Sequence, residues 1–414
     1  GHPESTDSVG RRIPLSDVLI IGGGIVGMTT ALALAGSGTS VTIVDKGRLG
    51  EGSSSLNAGG IRSQFFKGPN IEAANRTKAW LRAFEAEEGV DLEYDQNGYL
   101  FLVTSQAQHD RLAEGVAIQN AHGADTRMIS RAETEALLPH VNLDGVIGGC
   151  FGPTDGHLNP RALMPALAAK VRRSSITVLE DRRVLRLVID GDKVTGVETD
   201  RGVLSAGVVV TCAGAWSVGI GRTYGQELPI LPRRSQVFVM EQTPEIPQNA
   251  PHTFDFDAGI YVRRAGQGIW SGAAFKPVLD EVPDVVEADW TEGEELARRL
   301  AVRVPALKGR RFERNWAGPI EVTPDDNPLI GFSTFENYFL ATGFSGHGMC
   351  IGPGLAQDIA DAVHGRAPQT DLSIFRPERF TDGGEIAKEG MWLAERPASF
   401  SIWAAREWDD EAVR

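Results

Sequence analysis

The sequence predicts an interleaved α/β and α+β architecture, in which a parallel sheet with flanking helices alternates along the chain with a mostly antiparallel β domain. Three observations carry this. Residues 17–21 form a short apolar run, 22–27 a glycine turn, 28–35 a helical stretch and 41–44 a second apolar run, the opening of a βαβ unit. Residues 176–211 alternate apolar and polar side chains around a Gly191-Asp192 turn and end in the apolar run 208–211, a β-meander returning to the parallel sheet. Residues 236–240, 259–263 and 269–272 read as further strands, consistent with a mostly antiparallel second domain.

The other elements follow in order. Residues 70–88 read as an amphipathic helix closed by Gly89, and 98–103 as a strand in a new context, so the chain crosses between domains near residue 95. Ser130 with Glu133 forms a capping box for a helix through Leu138, and Asn159 followed by Pro160 is a cap with proline at the first helical position, opening a helix to about Arg173. Helices between Asp289 and Val304 complete the second domain, and residues 353–363 have helical periodicity ending at His364-Gly365. The division that results is a discontinuous first domain of residues 16–94, 157–225 and 316–385, a second of 95–156 and 226–315, and a C-terminal extension, 386–414.

Composition narrows the function classes. With 414 residues, 42% of them hydrophobic, the chain can bury two ordinary cores and is not disordered as a whole. Its 41 basic against 55 acidic residues give a net charge of −14, which disfavours nucleic acid or an anionic membrane as a general partner. Cys150, Cys212 and Cys350 lie far apart without CxxC spacing, so neither a disulfide framework nor a metal site is predicted, and a reducing cytoplasm is the expected compartment. Residues 18–35 are broken by glycines and threonines into a strand and a helix, so they do not form a membrane span. Gly1 to Arg12 carry no signal-peptide core and no initiator Met, and read as a processing or cloning remnant.

Gly22-Gly23-Gly24-Ile25-Val26-Gly27 fits GxGxxG between a strand and a helix, with Asp45 and Lys46 at the end of the next strand. The glycines divide the work, with Gly22 making the tight turn, Gly24 letting the backbone approach a pyrophosphate and Gly27 allowing helix–strand packing. The helix N-terminus, opening at Ile25 and Val26, faces the phosphates with its partial positive charge. Asp45 accepts hydrogen bonds from ribose hydroxyls and disfavours a 2′-phosphate. Just beyond, the stretch GSSSLNAGGIR (52–62) offers small residues and hydroxyls, Ser53, Ser54, Asn57, Ala58, Gly59 and Gly60 among them. Such a loop can wrap a second, bulkier ring system, which an NAD domain does not need, so FAD is the predicted cofactor.

Together with DGHLNP at 155–160, VVVTCAGAWS at 208–217, TPDDNPLIG at 323–331 and ATGFSGHGM at 341–349, these motifs carry a resemblance over about residues 16–380. The chain resembles the FAD-dependent amine and amino-acid oxidoreductases of the D-amino-acid oxidase superfamily, which include sarcosine oxidase, glycine oxidase and dimethylglycine dehydrogenase. The resemblance implies a Rossmann-type, glutathione-reductase-like FAD-binding domain. Val184 should meet the adenine through its backbone, and Ala213, Gly214 and Trp216 should line the pyrophosphate side. Gly343, Gly346, His347, Gly348 and Met349 should pass beside the flavin ring. The implied reaction removes a hydride from the carbon next to the nitrogen of a secondary or tertiary amine, or an N-substituted amino acid, to give an imine.

Departures from the family pattern matter too. Its positions of covalent flavin attachment fall near Gly318 and Asn57, so non-covalent FAD is expected. Its oxygen-activating lysine is replaced by Trp270 and its substrate-carboxylate lysine by Cys350. Oxygen is therefore expected to be a poor acceptor unless another cation, Lys276 or His347, serves. The acceptor is left as O2 or another carrier.

At the flavin, the loop 343–348 exposes backbone N–H groups, and a helix beginning near Pro353 points its positive end toward the pyrimidine side. Hydride transfer from a neutral amine needs no side-chain base, so His347 enters as an electrostatic tuner. Arg62 is the leading candidate to clamp a substrate carboxylate, with Arg263 and Arg264 behind it, and Tyr261 is placed to orient the amine. Two alternatives stay open. One is oxidation of a 2-hydroxy acid, with His347 as the base. The other is an FAD-carrying subunit whose tail, residues 385–414, docks a partner.

Overall fold

A computed structural model describes residues 15–266, 268–273, 277–383 and residue 389. Gly1 to Arg12, Lys276 and, apart from Glu389, the extension 386–414 lie outside the described residues.

The first strand, Ser16–Ile21, is the middle of a mixed sheet, because Val18, Leu19, Ile20 and Ile21 are all buried and a strand covered on both faces must be apolar throughout. Val41–Val44 and Gly202–Thr211 flank it in parallel. Thr177–Leu179 extends one side and Tyr338–Thr342 the other, both in parallel, and Leu329–Phe332 closes the edge antiparallel. The alternating stretch is the meander Val184–Asp190, Lys193–Thr199 and Gly202–Thr211.

Local signals hold at several helix ends. Gly89, at φ 63°, closes Gly68–Glu88, the Ser130–Glu133 capping box is formed, and the Asn159 side chain caps Pro160–Arg173. Between Asp289 and Val304 there is one α-helix, Glu292–Arg303. One boundary is corrected: the helix expected from Pro353 begins at Gly348, runs to Val363, has His347 as its N-cap and keeps Pro353 inside. A proline is the usual mark of a first turn, but inside a helix it also removes a backbone donor. The glycines on either side of it sit in close contacts, since a Cβ on Gly352 would stand 3.0 Å from Val26 and one on Gly354 only 1.9 Å from the Ala73 carbonyl. The Gly354 N–H donates instead to Thr77 Oγ1 at 2.9 Å, joining this helix to Gly68–Glu88.

The second sheet has eight strands in the spatial order Phe312–Val322, Leu231–Glu241, Gly268–Ala273, Ile260–Ala265, His252–Asp255, Tyr99–Val103, Gly148–Gly152, Arg127–Ser130. Only His252–Asp255 and Tyr99–Val103 pair in parallel. A two-stranded ribbon of Gly60–Ile61 against Gly156–His157 ties the loop after Val41–Val44 to this half of the molecule. No helix among the described residues is long and apolar enough to cross a membrane.

Gly354→Val should lower the stability of the FAD-loaded protein by about 1–3 kcal/mol, because the added atoms have only main chain to push against. Gly36→Ala, where nothing lies within 4 Å of the new Cβ, should cost nothing. Thermal unfolding of both variants checks the pair, and an unchanged Tm for Gly354→Val would contradict the close helix crossing.

Candidate active site

A cavity of about 580 Å³ opens where the strands Ser16–Ile21 and Gly202–Thr211 end. Its floor is the glycine turn. Gly22 has φ +102°, and a Cβ there would fall 2.4 Å from the Cys212 carbonyl oxygen. A Cβ on Gly27 would fall 1.9 Å from the Gly22 carbonyl, so this glycine packs against the turn and does not line the cavity. Gly24, Ile25 and Val26 do line it, and the Ile25 N–H donates to Ser54 Oγ at 2.9 Å. The helix Ile25–Gly36 therefore presents its first turn, with its positive dipole end, to the cavity.

The next strand supplies Asp45 and Lys46. Both Asp45 oxygens accept main-chain N–H groups, Oδ2 from Gly23 at 2.7 Å and Oδ1 from Gly47 at 2.8 Å, while burial raises its pKa. Lys46 pairs with Asp284 at 2.9 Å and lies 3.8 Å over the Trp216 ring. Trp216 Nε1 donates to the Pro283 carbonyl at 3.2 Å, so residues 283–285 close this side beside Val184, Ala213 and Gly214.

The serine-rich loop divides at Asn57. Ser53, Ser54 and Asn57 line the cavity, with Ser53 Oγ donating to the Pro319 carbonyl at 2.6 Å and Asn57 Nδ2 to the Ser54 carbonyl at 2.8 Å. Ala58, Gly59 and Gly60, expected to touch the cofactor, do not line it. Ala58 packs on the Trp270 and Trp316 group, Gly59 lies against Leu158, and Gly60 pairs with His157. The ribbon with Gly156–His157 pulls the loop away.

At the opposite wall Gly346, Gly348 and Met349 line the cavity, whereas Gly343 and His347 do not. Gly343 is backed by Thr323, and His347 is buried with its ring edge-on to Phe65 at 5.2 Å. Because the last helix starts at Gly348, its positive end reaches the cavity directly, five residues earlier than Pro353 implied. One lining residue had no signal in the sequence, Glu321. It is half-buried in the cavity wall, accepts from the Phe344 N–H at 3.4 Å, and burial pushes its carboxyl up to about 7.

The proposed substrate residues gather outside this cavity, under the loop 56–62. Arg62 is buried, donates from Nη1 to the Gln64 carbonyl at 2.6 Å and stacks 4.3 Å over Phe65, the ring that His347 meets edge-on. Tyr99, its pKa raised by burial against the nearby Arg62 charge, stacks on His252 at 4.2 Å, and Tyr261 follows at 5.4 Å from His252. Burial likewise raises the Tyr261 hydroxyl. Arg263 stacks 4.2 Å over Trp270, which stands edge-on to Trp316 at 5.0 Å. The indole expected to lack positive charge thus carries a guanidinium on its face. Arg264 points the other way, to Gln242 Oε1 at 2.7 Å and the Ile246 carbonyl, as the period of a strand requires. Cys350 Sγ donates to the Gly60 carbonyl at 3.1 Å. Among the described residues no cluster of three or more His, Cys, Asp or Glu side chains could hold a metal ion.

Residues 17–362 match the family described as FAD dependent oxidoreductase. The chain belongs to that family. This FAD-dependent oxidoreductase is 29% identical over 415 residues to the sarcosine dehydrogenase, mitochondrial, of Homo sapiens, covering 96% of this chain and 45% of that protein. It is 27% identical over 417 residues to the pyruvate dehydrogenase phosphatase regulatory subunit, mitochondrial, of Mus musculus, with 96% and 47% covered. It thus spans about half the length of these curated relatives. Among solved structures, L-proline dehydrogenase from P. horikoshii superposes with a TM-score of 0.83 at 29% identity, covering 91% of this chain and 100% of that one. The mixed α/β fold is shared with it.

FAD fits the cavity chemically: a side-chain-free turn and the N-terminus at Ile25 for a pyrophosphate, a second N-terminus at Gly348 for the ring, a carboxylate able to accept from ribose hydroxyls, and a volume suited to a large ligand. Gly24→Val and Asp45→Ala should each lower FAD occupancy, read as flavin absorbance per protein, and full occupancy in both would contradict the assignment. Glu321 adds a pH dependence. Its carboxyl is neutral below about 7 and negative above it. Because FAD brings a pyrophosphate dianion, its affinity for the apoprotein should fall as pH rises through that point, and Glu321→Gln should flatten the profile. Flavin fluorescence titrations across pH check this, and a wild-type affinity that rises with pH would contradict it.

Proposed function

We propose that this chain oxidises a secondary or tertiary amine, or an N-substituted amino acid, by removing a hydride from the carbon next to nitrogen. The FAD part would be a Rossmann-type, glutathione-reductase-like domain of residues 16–94, 157–225 and 316–385, and the substrate part residues 95–156 and 226–315. The observation that carries an acid-bearing substrate furthest is Arg62. It is 7% exposed beside Tyr99, and no carboxylate among the described residues lies within 4 Å of it. A buried guanidinium in that state favours an anionic ligand, and its planar fork suits a carboxylate. The similarity to a sarcosine dehydrogenase supports the same substrate class.

FAD, when bound, supplies the hydride acceptor. The chain's own residues bind, orient and exclude water. Arg62 would hold the acid group and Tyr261 would orient the amine from the neighbouring strand. The loop 344–349 and the N-terminus at Gly348 would bring positive dipole ends to the ring, with His347 acting on it through space. Arg263, over Trp270, brings a cation to the place where the family lysine is missing, so both O2 and another carrier stay within this proposal as acceptor.

A second reading has one supporting observation. The regulatory subunit among the relatives is consistent with a flavoprotein chain that works inside a larger assembly.

Anaerobic mixing of the FAD-loaded protein with N-methyl amino acids, simple amines and 2-hydroxy acids tests the reaction. N-substituted amino acids should bleach the flavin. Arg62→Lys should raise the concentration needed for half-maximal bleaching about tenfold or more, since the charge stays but the fork is lost, while FAD content is kept. Bleaching by hydroxy acids alone, or unaltered saturation in Arg62→Lys, would overturn the reading.

A further inference from the structure

Three polar side chains under the loop 56–62 are deeply buried and short of partners. His157, His252 and Arg263 are each 2% exposed. His252 Nδ1 and Arg263 Nε have no hydrogen-bond partner, and the His157 ring meets no polar group closely but the Arg264 main chain. Arg263 donates from Nη1 to the Leu158 carbonyl at 2.9 Å and stacks on Trp270, but no carboxylate among the described residues lies within 4 Å of its guanidinium. The two imidazole rings stand 5.9 Å apart. Buried polar groups in folded proteins are almost always satisfied, so several unsatisfied polar atoms in one place, the Arg263 Nε–H among them, mark a site built for a polar ligand.

The charge around them identifies that something as an anion. Burial, followed by the Arg263 charge, pulls both histidines well below their ordinary pKa, outweighing the pull of the Arg264 main chain on His157, so each ring is neutral and carries one N–H. Arg263 itself is drawn down to about 9 by burial. Other ionisable groups face the cluster. Asp95 Oδ2 lies 3.7 Å from His157 Nε2 at a half-exposed edge, Glu93 acts on Arg263 from the same side, and Tyr99, Tyr261 and Arg62 complete the surround. The two edge carboxylates favour the Arg263 charge from a distance, and neither lies within 4 Å of its guanidinium.

The cluster lies outside the FAD cavity, whose lining includes none of the three residues. It is close to Arg62. A Cβ on Gly60 would stand 3.2 Å from Tyr99 and 3.4 Å from His252. Both guanidinium groups act on the His252 ring, Arg263 more strongly than Arg62. The acid that acts on Arg62, Glu389, is engaged elsewhere, by the N–H groups of Phe66 and Lys67 and by Asn70. Two buried guanidinium groups act on the His252 ring, and a simple amino acid offers only one carboxylate.

We propose that His157, His252 and Arg263 form a second acid-binding pocket, and that the substrate is an amine bearing two acid groups, one held by Arg62 and the other by Arg263. This rests on the amine reading above. Hydride removal then takes place at a carbon between two fixed ends, which restricts the reacting C–H to one orientation.

The test uses the FAD-loaded protein and two pairs of probes. Iminodiacetate and N-methylglycine differ by one acid group, as do thiodiacetate and methylthioacetate, which lack the nitrogen. Affinity is read from the change in the flavin spectrum and oxidation from anaerobic bleaching. The diacid of each pair should bind about tenfold or more tighter than its monoacid, the scale of one added charge-assisted contact. Arg263→Met should bring the diacid down to the monoacid's affinity, whereas a merely structural role would weaken both together. His252→Asn gives a second route should Arg263→Met not fold, and should narrow the same ratio. Equal affinities within the thioether pair, or a ratio unmoved in every folded variant, would overturn the pocket. An Arg263-dependent preference for thiodiacetate with no bleaching by any amine would keep the pocket and overturn the amine reading beneath it.

Discussion

At Gly22 main chain meets main chain with nothing between, and the arrangement of the cofactor half follows from that contact. The positive φ and the 2.4 Å from a virtual Cβ to the Cys212 carbonyl mean that a side chain here would drive apart the ends of two paired strands. Those ends are the rim of the cavity. The same turn sets the course of the helix behind it, through the still closer contact of Gly27 with the Gly22 carbonyl. With the helix so directed, its first N–H reaches Ser54, and Asp45 can hold the Gly23 N–H. Loop, carboxylate and dipole converge on one volume because the turn leaves them no other course.

The other half obeys strand alternation. Tyr261 and Arg263 share one face of Ile260–Ala265, while Arg264 turns to the opposite side. The register that sets Arg263 across from Trp270 stacks a cation on an indole, and the parallel pairing of His252–Asp255 with Tyr99–Val103 lays His252 on Tyr99. A chain of net charge −14 thus keeps two guanidinium groups in its interior without a carboxylate at salt-bridge distance among the described residues.

Much of the fold was legible because its signals are local. A glycine at positive φ, a capping box and an alternating meander each declare themselves within a few residues, and all three stand in the structure. What was not legible depends on partners distant in sequence. Pro353 looked like a helix start, yet the true start at Gly348 follows from how the last helix crosses Gly68–Glu88. Ala58, Gly59 and Gly60 looked like cofactor residues, and the ribbon with Gly156–His157 draws them aside. Glu321 was one acid in a strand, indistinguishable from a solvated one until the fold set it in the cavity wall. His157 and His252 gave no pattern, since their meeting rests on strand order alone.

We propose that shape and dipoles, without a covalent bond, hold FAD in this cavity. The two positions where the resemblance would put an attachment offer none: Asn57 spends its amide on the Ser54 carbonyl, and Gly318 has no side chain, with Leu56 only 2.8 Å from where a Cβ would sit. Acid precipitation of the purified yellow protein tests this most directly. FAD should appear in the supernatant in equimolar amount to the protein, and flavin retained in the washed pellet would contradict non-covalent binding.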